Sequence, residues 1–154
     1  MPWNSRPGKV MGGANKMLDT RVAQLCQQLG CVPEKLAVIL VDHGSRIAES
    51  NELLHQMAER FKAYTGLAHV EPAHMELAEP SIEAAYRRCV AAGAALILVA
   101  PFFLLPGKHW TEDIPRLVAE AARPFPHTTY RIAPPLGIDD LLVELLLRRL
   151  AQSV

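Results

Sequence analysis

Leu36-Ala37-Val38-Ile39-Leu40-Val41-Asp42-His43-Gly44-Ser45-Arg46 is the stretch on which the rest of the chain is built. Six apolar residues follow one another without alternation, so neither face of the segment is reserved for water. A short run of that kind reads as a strand buried on both sides, as in parallel sheets. It runs out into a histidine, a glycine, a serine and an arginine. In open α/β sheets ligands bind at the carboxyl ends of the strands, in the crevice where the strand order reverses. His43 falls at such an end.

Outward from this strand the pattern repeats. A helix is predicted from about Ser50 to Tyr64, with Leu53, Leu54, Met57, Ala58 and Phe61 on one stripe and Gly66 as its stop. The second strand, about Ala68 to Leu77, contains Pro72. Proline cannot donate to a ladder, which suggests an edge position. Glu79-Pro80-Ser81 opens the next helix, with proline expected in its first turn and Gly93 at its end. Ala95 to Pro101 has no polar residue and reads as a central strand. After the loop Phe102 to Trp110, Thr111 is expected to cap a helix reaching Ala122. A fourth strand spans about Thr128 to Ala133, and a last helix runs from about Asp139 to Ala151. Leucines cover more of that helix than one core face requires, so a second contact, such as a subunit interface, is expected.

Alternating strands and helices with right-handed crossovers give a three-layer α/β sandwich around a central, mainly parallel four-stranded sheet of the flavodoxin-like class. Ahead of it lies an extension, residues 1–34. Prolines and glycines mark residues 1 to about 13 as a flexible tail, and Lys16 to Leu29 reads as an amphipathic helix ended by Gly30. Residues 35–154 form the main domain.

Composition removes several classes of function. The chain has 154 residues, half of them apolar, with 16 basic and 16 acidic side chains. Balanced charge without a basic stripe argues against nucleic acid as a partner. Cys26, Cys31 and Cys89 have no metal-ligand spacing and fit reduced thiols in a cytoplasmic protein. The start lacks a signal-peptide core, and the longest apolar stretch, Ala94 to Leu105, is too short to cross a bilayer. There is no phosphate-binding glycine loop of either common type and no nucleophile elbow. Ser45 has no partner arrangement to make it a nucleophile.

Two histidines stand out by position, since His43 follows the first strand and His109 the third. A lone histidine at a strand end is most often a turn or surface residue. Two at one sheet edge make a cleft that binds a divalent transition metal or takes protons from a substrate. Glu76, near the end of the second strand, is the candidate third contact or proton acceptor, and His74 is read as bordering the cleft. His55, His69 and His127 read as surface or packing residues. The loop Phe102 to Trp110 offers an apolar wall for a flat ring. Arg46, Lys108, Arg87 and Arg116 are available for carboxylates.

The ordered set Asp42-His43-Gly44-Ser45-Arg46, Met75-Glu76-Leu77-Ala78-Glu79-Pro80-Ser81, Val99 to His109, Asp113-Ile114-Pro115 and Pro135-Leu136-Gly137 resembles the sirohydrochlorin chelatases of the cobalamin and siroheme pathways. These belong to the class II chelatases. The resemblance covers about Leu36 to Leu150. It implies a lyase-class enzyme that inserts Co2+ or Fe2+ into sirohydrochlorin without ATP. The metal, with Ni2+ also suited to histidine ligands, is a substrate, and no permanently bound cofactor is implied. His43 and His109 match the family's metal ligands, and His43 also its proton acceptor; Glu76 carries over less directly. Arg46 is assigned to substrate binding, and Leu104, Leu105, Pro106, Gly107 and Lys108 match the segment that contacts the tetrapyrrole. One copy of the motif set resembles the short form that pairs as a homodimer. The alternative is a carrier that binds tetrapyrrole or metal without reaction.

Overall fold

The computed structural model describes residues 17–105 and 107–153. The expected tail and Pro106 lie outside the described residues. The elements are α1 (Thr20–Leu29), β1 (Leu36–Asp42), α2 (Ala48–Thr65), β2 (His69–His74), α3 (Ile82–Ala91), β3 (Leu96–Pro101), α4 (Ile114–Ala122), β4 (Thr129–Ile132) and α5 (Asp140–Ala151). A short 3-10 turn (Pro33–Lys35) leads into β1, and a wide π-helical turn (His109–Asp113) leads into α4.

The four strands are all parallel, in the order β2-β1-β3-β4. β1 and β3 are the inner strands, and the chain reverses direction across the sheet between them. β1 shows why its sequence does not alternate. Ala37, Ile39 and Val41 pack into one core with Tyr86 and Cys89 of α3 and Val118 of α4. Leu36, Val38 and Leu40 pack into the other with Val22 and Cys26 of α1 and Leu54 of α2. Each face buries its own set, at roughly 1.5–3 kcal/mol per large aliphatic side chain. The three-layer sandwich is therefore as expected, and so is the edge position of β2, with Pro72 opposite Leu40.

Helix α1 is capped by Asp19, which accepts from the Arg21 amide. Its buried Val22 and Cys26 belong to the same core as β1. Gly30 and Gly66 close α1 and α2 in the left-handed conformation, as expected. Tyr86 is fully buried, its hydroxyl 2.9 Å from Thr128 Oγ1. Thr128 gives its one hydroxyl hydrogen to the Phe125 carbonyl at 2.8 Å, so Tyr86 is the donor in that pair.

Three boundaries differ from the sequence reading. β2 stops at His74 rather than Leu77, because the chain turns back. The His74 amide donates to the Pro80 carbonyl at 2.8 Å, and Leu77 adopts a φ of 68° that no strand can contain. Pro80 lies before the α3 cap instead of in its first turn; Ser81 is the cap, accepting from the Ala84 amide. Thr111 does not begin the next helix, because the chain is already helical at Lys108. The Trp110 and Thr111 amides both donate to the Gly107 carbonyl at 3.0 Å.

Helix α5, capped by Asp139, has no buried residue. Leu141 is 78% exposed and Leu146 64% exposed.

Candidate active site at the carboxyl edge of the sheet

The ends of β1, β2 and β3 meet at the reversal in strand order, and each delivers one chemically capable side chain. His43 follows β1. Glu76 lies in the turn after β2. His109 opens the wide turn that follows β3. The His43 and His109 rings meet edge to face with centroids 4.9 Å apart. His43 Nε2 is 3.1 Å from Glu76 Oε1. All three side chains are about half exposed, so a ligand reaches them directly.

The local backbone explains how they converge. Gly44 has a φ of 87°, and its Cα lies against the Glu76 carbonyl so closely that any side chain would collide with it. The Met75 amide donates to the Asp42 carbonyl at 2.9 Å, and the Glu76 amide to the His43 carbonyl at 3.2 Å. These two bonds carry the ladder two residues past β2 and fix Glu76 beside His43. Beyond Gly44, Asn51 clamps Ser45 from both sides: its Oδ1 accepts from the Ser45 amide at 2.9 Å, and its Nδ2 donates to the Ser45 carbonyl at 2.8 Å. The Ser45 hydroxyl accepts from the Ile47 amide. Its role is to shape this loop, in agreement with the absence of a partnered nucleophile in the sequence.

His109 is held from the other direction. Its Nδ1 lies 2.8 Å from Asp113 Oδ2, one helical turn on. The Trp110 indole donates to the Ala133 carbonyl past β4 at 3.2 Å. Ile114, fully buried, anchors the start of α4. A carboxylate on one ring nitrogen fixes the ring's orientation and presents the other nitrogen outward.

The remaining sequence candidates are distributed as follows. Leu104 and Leu105 are 53% and 72% exposed. They form an apolar shelf braced by amides of Leu136 and Gly137, which donate to the Phe103 and Leu104 carbonyls. Gly107 and Lys108 are exposed at its end, with Lys108 Nζ 3.9 Å from Glu112. Arg46 is exposed three residues beyond His43. Arg116 pairs with Glu120 at 3.2 Å, and Arg87 with Glu83 at 2.7 Å.

His74 does not border the cleft. It is fully buried, its Nδ1 2.6 Å from Asp42 Oδ1. The reason is the early end of β2, which leaves His74 within the sheet while Glu76 emerges. His55 is half-buried, its ring 5.8 Å from that of His74. Sequence reading missed Asp113 as the partner of His109, although spacing of four on a helix was the available signal. It also missed Asp42, whose role depends on a strand register that the sequence does not display. Among the described residues, no three His, Cys, Asp or Glu side chains converge tightly enough to hold a metal ion as they stand. What the arrangement does offer is two facing imidazoles, each on a carboxylate: a pair of nitrogen donors with proton acceptors attached.

Known proteins bear directly on this geometry. The CbiX family model matches residues 37–153. The chain is 53% identical over 107 residues to a chloroplastic sirohydrochlorin ferrochelatase of Arabidopsis thaliana, covering 70% of this chain and 48% of that one. Among solved structures, the sirohydrochlorin chelatase SirB of Bacillus subtilis subspecies spizizenii in complex with cobalt superposes with a TM-score of 0.72. The identity there is 34%, over 77% of this chain and 50% of SirB. A CbiX cobalamin-biosynthesis protein from Marinobacter aquaeolei gives a TM-score of 0.62 at 30% identity, over 77% of this chain and 95% of that one. The chain spans about half the length of the curated relatives it matches. With the family model covering residues 37–153, most of its length, this chain belongs to the CbiX family.

Proposed function

We propose that this protein inserts a divalent metal, Co2+ or Fe2+, into sirohydrochlorin or a closely related tetrapyrrole, without ATP. The observation that carries the reading is the meeting of His43, His109 and Glu76 at one open sheet edge. It is supported by the relatives, one named for iron insertion and one solved with cobalt.

The chemistry follows from what metallation requires. The ring must lose two pyrrole protons, and the cation must exchange water for ring nitrogens. His43 and His109 are the metal ligands in this reading: neutral imidazoles hold a borderline cation and release it. When His43 Nε2 turns from Glu76 to the cation, the Glu76 carboxylate is freed beside the reacting centre to accept one ring proton, and the His43 imidazole takes the second once the cation has passed to the ring. Ni2+ is a further candidate metal, since such ligands do not discriminate sharply. Leu104, Leu105 and Gly107 provide the wall for the flat ring. Arg46 and Lys108 pair with its peripheral carboxylates. Residues 35–154 are the catalytic unit, and α1 of the preceding extension braces it through Val22 and Cys26.

The partner is a second copy of the chain. Val143, Leu146, Leu147 and Leu150 of α5 are each half exposed or more and find no cover among the described residues. An apolar helix face of this extent marks an interaction surface. Nucleic acid and membrane are not partners in this reading: charge is balanced, and among the described residues no helix is long and apolar enough to cross a membrane. Free thiols suit a reducing compartment, the cytoplasm; the Arabidopsis relative is named as chloroplastic.

The test is an anaerobic assay of purified protein with sirohydrochlorin and Co2+, Fe2+ or Ni2+, followed by absorbance. Metallation faster than without protein is the expected result. Binding of the tetrapyrrole without acceleration makes the protein a carrier and overturns the reading.

A further inference from the structure

A second polar pair lies directly beneath the His43–Glu76 contact. Asp42 ends β1, His74 ends β2, and the two are partners across the parallel ladder. His74 Nδ1 approaches Asp42 Oδ1 to 2.6 Å, and the same oxygen accepts from the Gly44 amide at 2.9 Å. His74 has no accessible surface. Its Nε2 is, among the described residues, the one buried side-chain nitrogen or oxygen without a hydrogen-bond partner.

A fully buried imidazole with an unpartnered nitrogen is a poor way to fill space. Leaving a buried polar atom unpaired destabilises the fold, a cost that an apolar ring of similar size avoids. What this ring does that an apolar one would not is bind Asp42. Asp42 Oδ1 engages the ring at Nδ1, and Nε2 faces the core without a partner.

The pair sits where it matters. One carboxylate oxygen gathers a donor from each strand end: the Gly44 amide, one residue after His43, and the His74 ring, two residues before Glu76. The backbone adds two bonds between the same segments, Met75 to Asp42 and Glu76 to His43. Gly44 is pressed on the Glu76 carbonyl. The separation of His43 from Glu76 thus depends on these contacts together, and the Asp42–His74 bond is the one among them that joins two side chains. We infer that Asp42 and His74 are positioning residues, a buried brace that fixes the His43–Glu76 pair for metal and proton transfer. The inference rests on the chelatase reading for its consequence, but its geometry exists without substrate.

The experiment uses full-length His74→Phe, Asp42→Ala and His74→Asn. An asparagine amide nitrogen falls close to the imidazole Nδ1 and donates to Asp42 in its stead. A displacement of about 1 Å at a reacting group costs up to about a hundredfold in rate. His74→Phe and Asp42→Ala are therefore expected to lower kcat about 10- to 100-fold. KM for the tetrapyrrole should stay within about threefold, because the apolar shelf and Arg46 are untouched. His74→Asn should recover most of the rate.

The companion measurement is the metal-free long-range 1H–15N spectrum of the imidazoles. In it the His43 ring signals should move in His74→Phe and Asp42→Ala and return in His74→Asn. The inference is overturned by unmoved His43 signals in both disruptive variants, or by a kcat for both within about twofold of the parent. A loss that follows thermal stability alone and that asparagine does not repair overturns it as well. If the parent protein fails to metallate, the chelatase reading falls, and the imidazole spectra still decide whether the brace exists.

Discussion

Gly44→Ala is the substitution whose effect the structure specifies most fully. The residue has a φ of 87°, and an added Cβ would meet the Glu76 carbonyl oxygen, the Glu76 carbonyl carbon at 3.1 Å and His74 Cβ at 3.2 Å. A left-handed alanine costs about 1–2 kcal/mol. The neighbours are backbone and a buried ring, so relief requires the Met75–Glu76 turn to separate from β1. That movement strains two hydrogen bonds, Met75 to Asp42 and Glu76 to His43, at about 1 kcal/mol each. The sum is about 3–4 kcal/mol. In a domain of this size 1 kcal/mol corresponds to roughly 2–4 °C, so Tm should fall by about 10 °C. Metallation should fall further than stability implies, because the same movement draws Glu76 away from His43. Differential scanning calorimetry and the anaerobic absorbance assay read the two effects separately. A variant that melts within 2 °C of the parent and metallates at the parental rate would falsify the account of how this edge is assembled.

Four other outcomes are expected. His43→Ala and His109→Ala should each remove most metallation while leaving Tm nearly unchanged, since both rings are about half exposed; near-parental rates in either contradict its role as ligand. Tyr86→Phe should cost about 1 kcal/mol, or roughly 2–4 °C, because Thr128 keeps its bond to the Phe125 carbonyl; urea denaturation measures this. Burial pushes the Cys89 thiol from 9.0 up to about 12. The thiolate therefore forms more readily in the unfolded chain. The associated stability is complete below about pH 9 and is lost as pH rises toward 12, and denaturation across that range should show a shallower decline for Cys89→Ala. Leu146→Glu should shift sedimentation from dimer to monomer, whereas an unchanged sedimentation coefficient would remove α5 from the interface.

The inner strands were legible because every residue from Leu36 to Val41 is apolar, and only burial on both faces explains that. Pro72 likewise announced an edge. His43 was legible because a polar residue immediately beyond a buried strand has one place to go, and His109 because it closes the loop that follows the apolar strand β3. The turn after β2 was not legible, since Met75 and Leu77 look like a continuing strand until the His74 amide finds the Pro80 carbonyl. The buried Asp42–His74 pair was hidden for a related reason. Its members are 32 residues apart, and only the register of β1 on β2 brings them together. Thr111 misled as a helix start because its threonine–acidic pattern imitates a cap, while the Gly107 carbonyl begins the helical path earlier.

The wide turn at His109–Asp113 has a consequence for how the chain tolerates change. It is closed by a hydrogen bond from the Ile114 amide to the His109 carbonyl, five residues back, one residue more than an α-helical turn encloses. Ile114 is locked in the core, so everything upstream is timed from that point. Removing a single residue here would swing His109 by about 100° around the helix axis, whatever letters remained. Exchanges of Trp110, Thr111 or Glu112 alter local contacts, but insertions and deletions alter the aim of the imidazole. The bearing of His109 is therefore encoded as a count of residues, and related sequences should drift in spelling across this turn long before they drift in length.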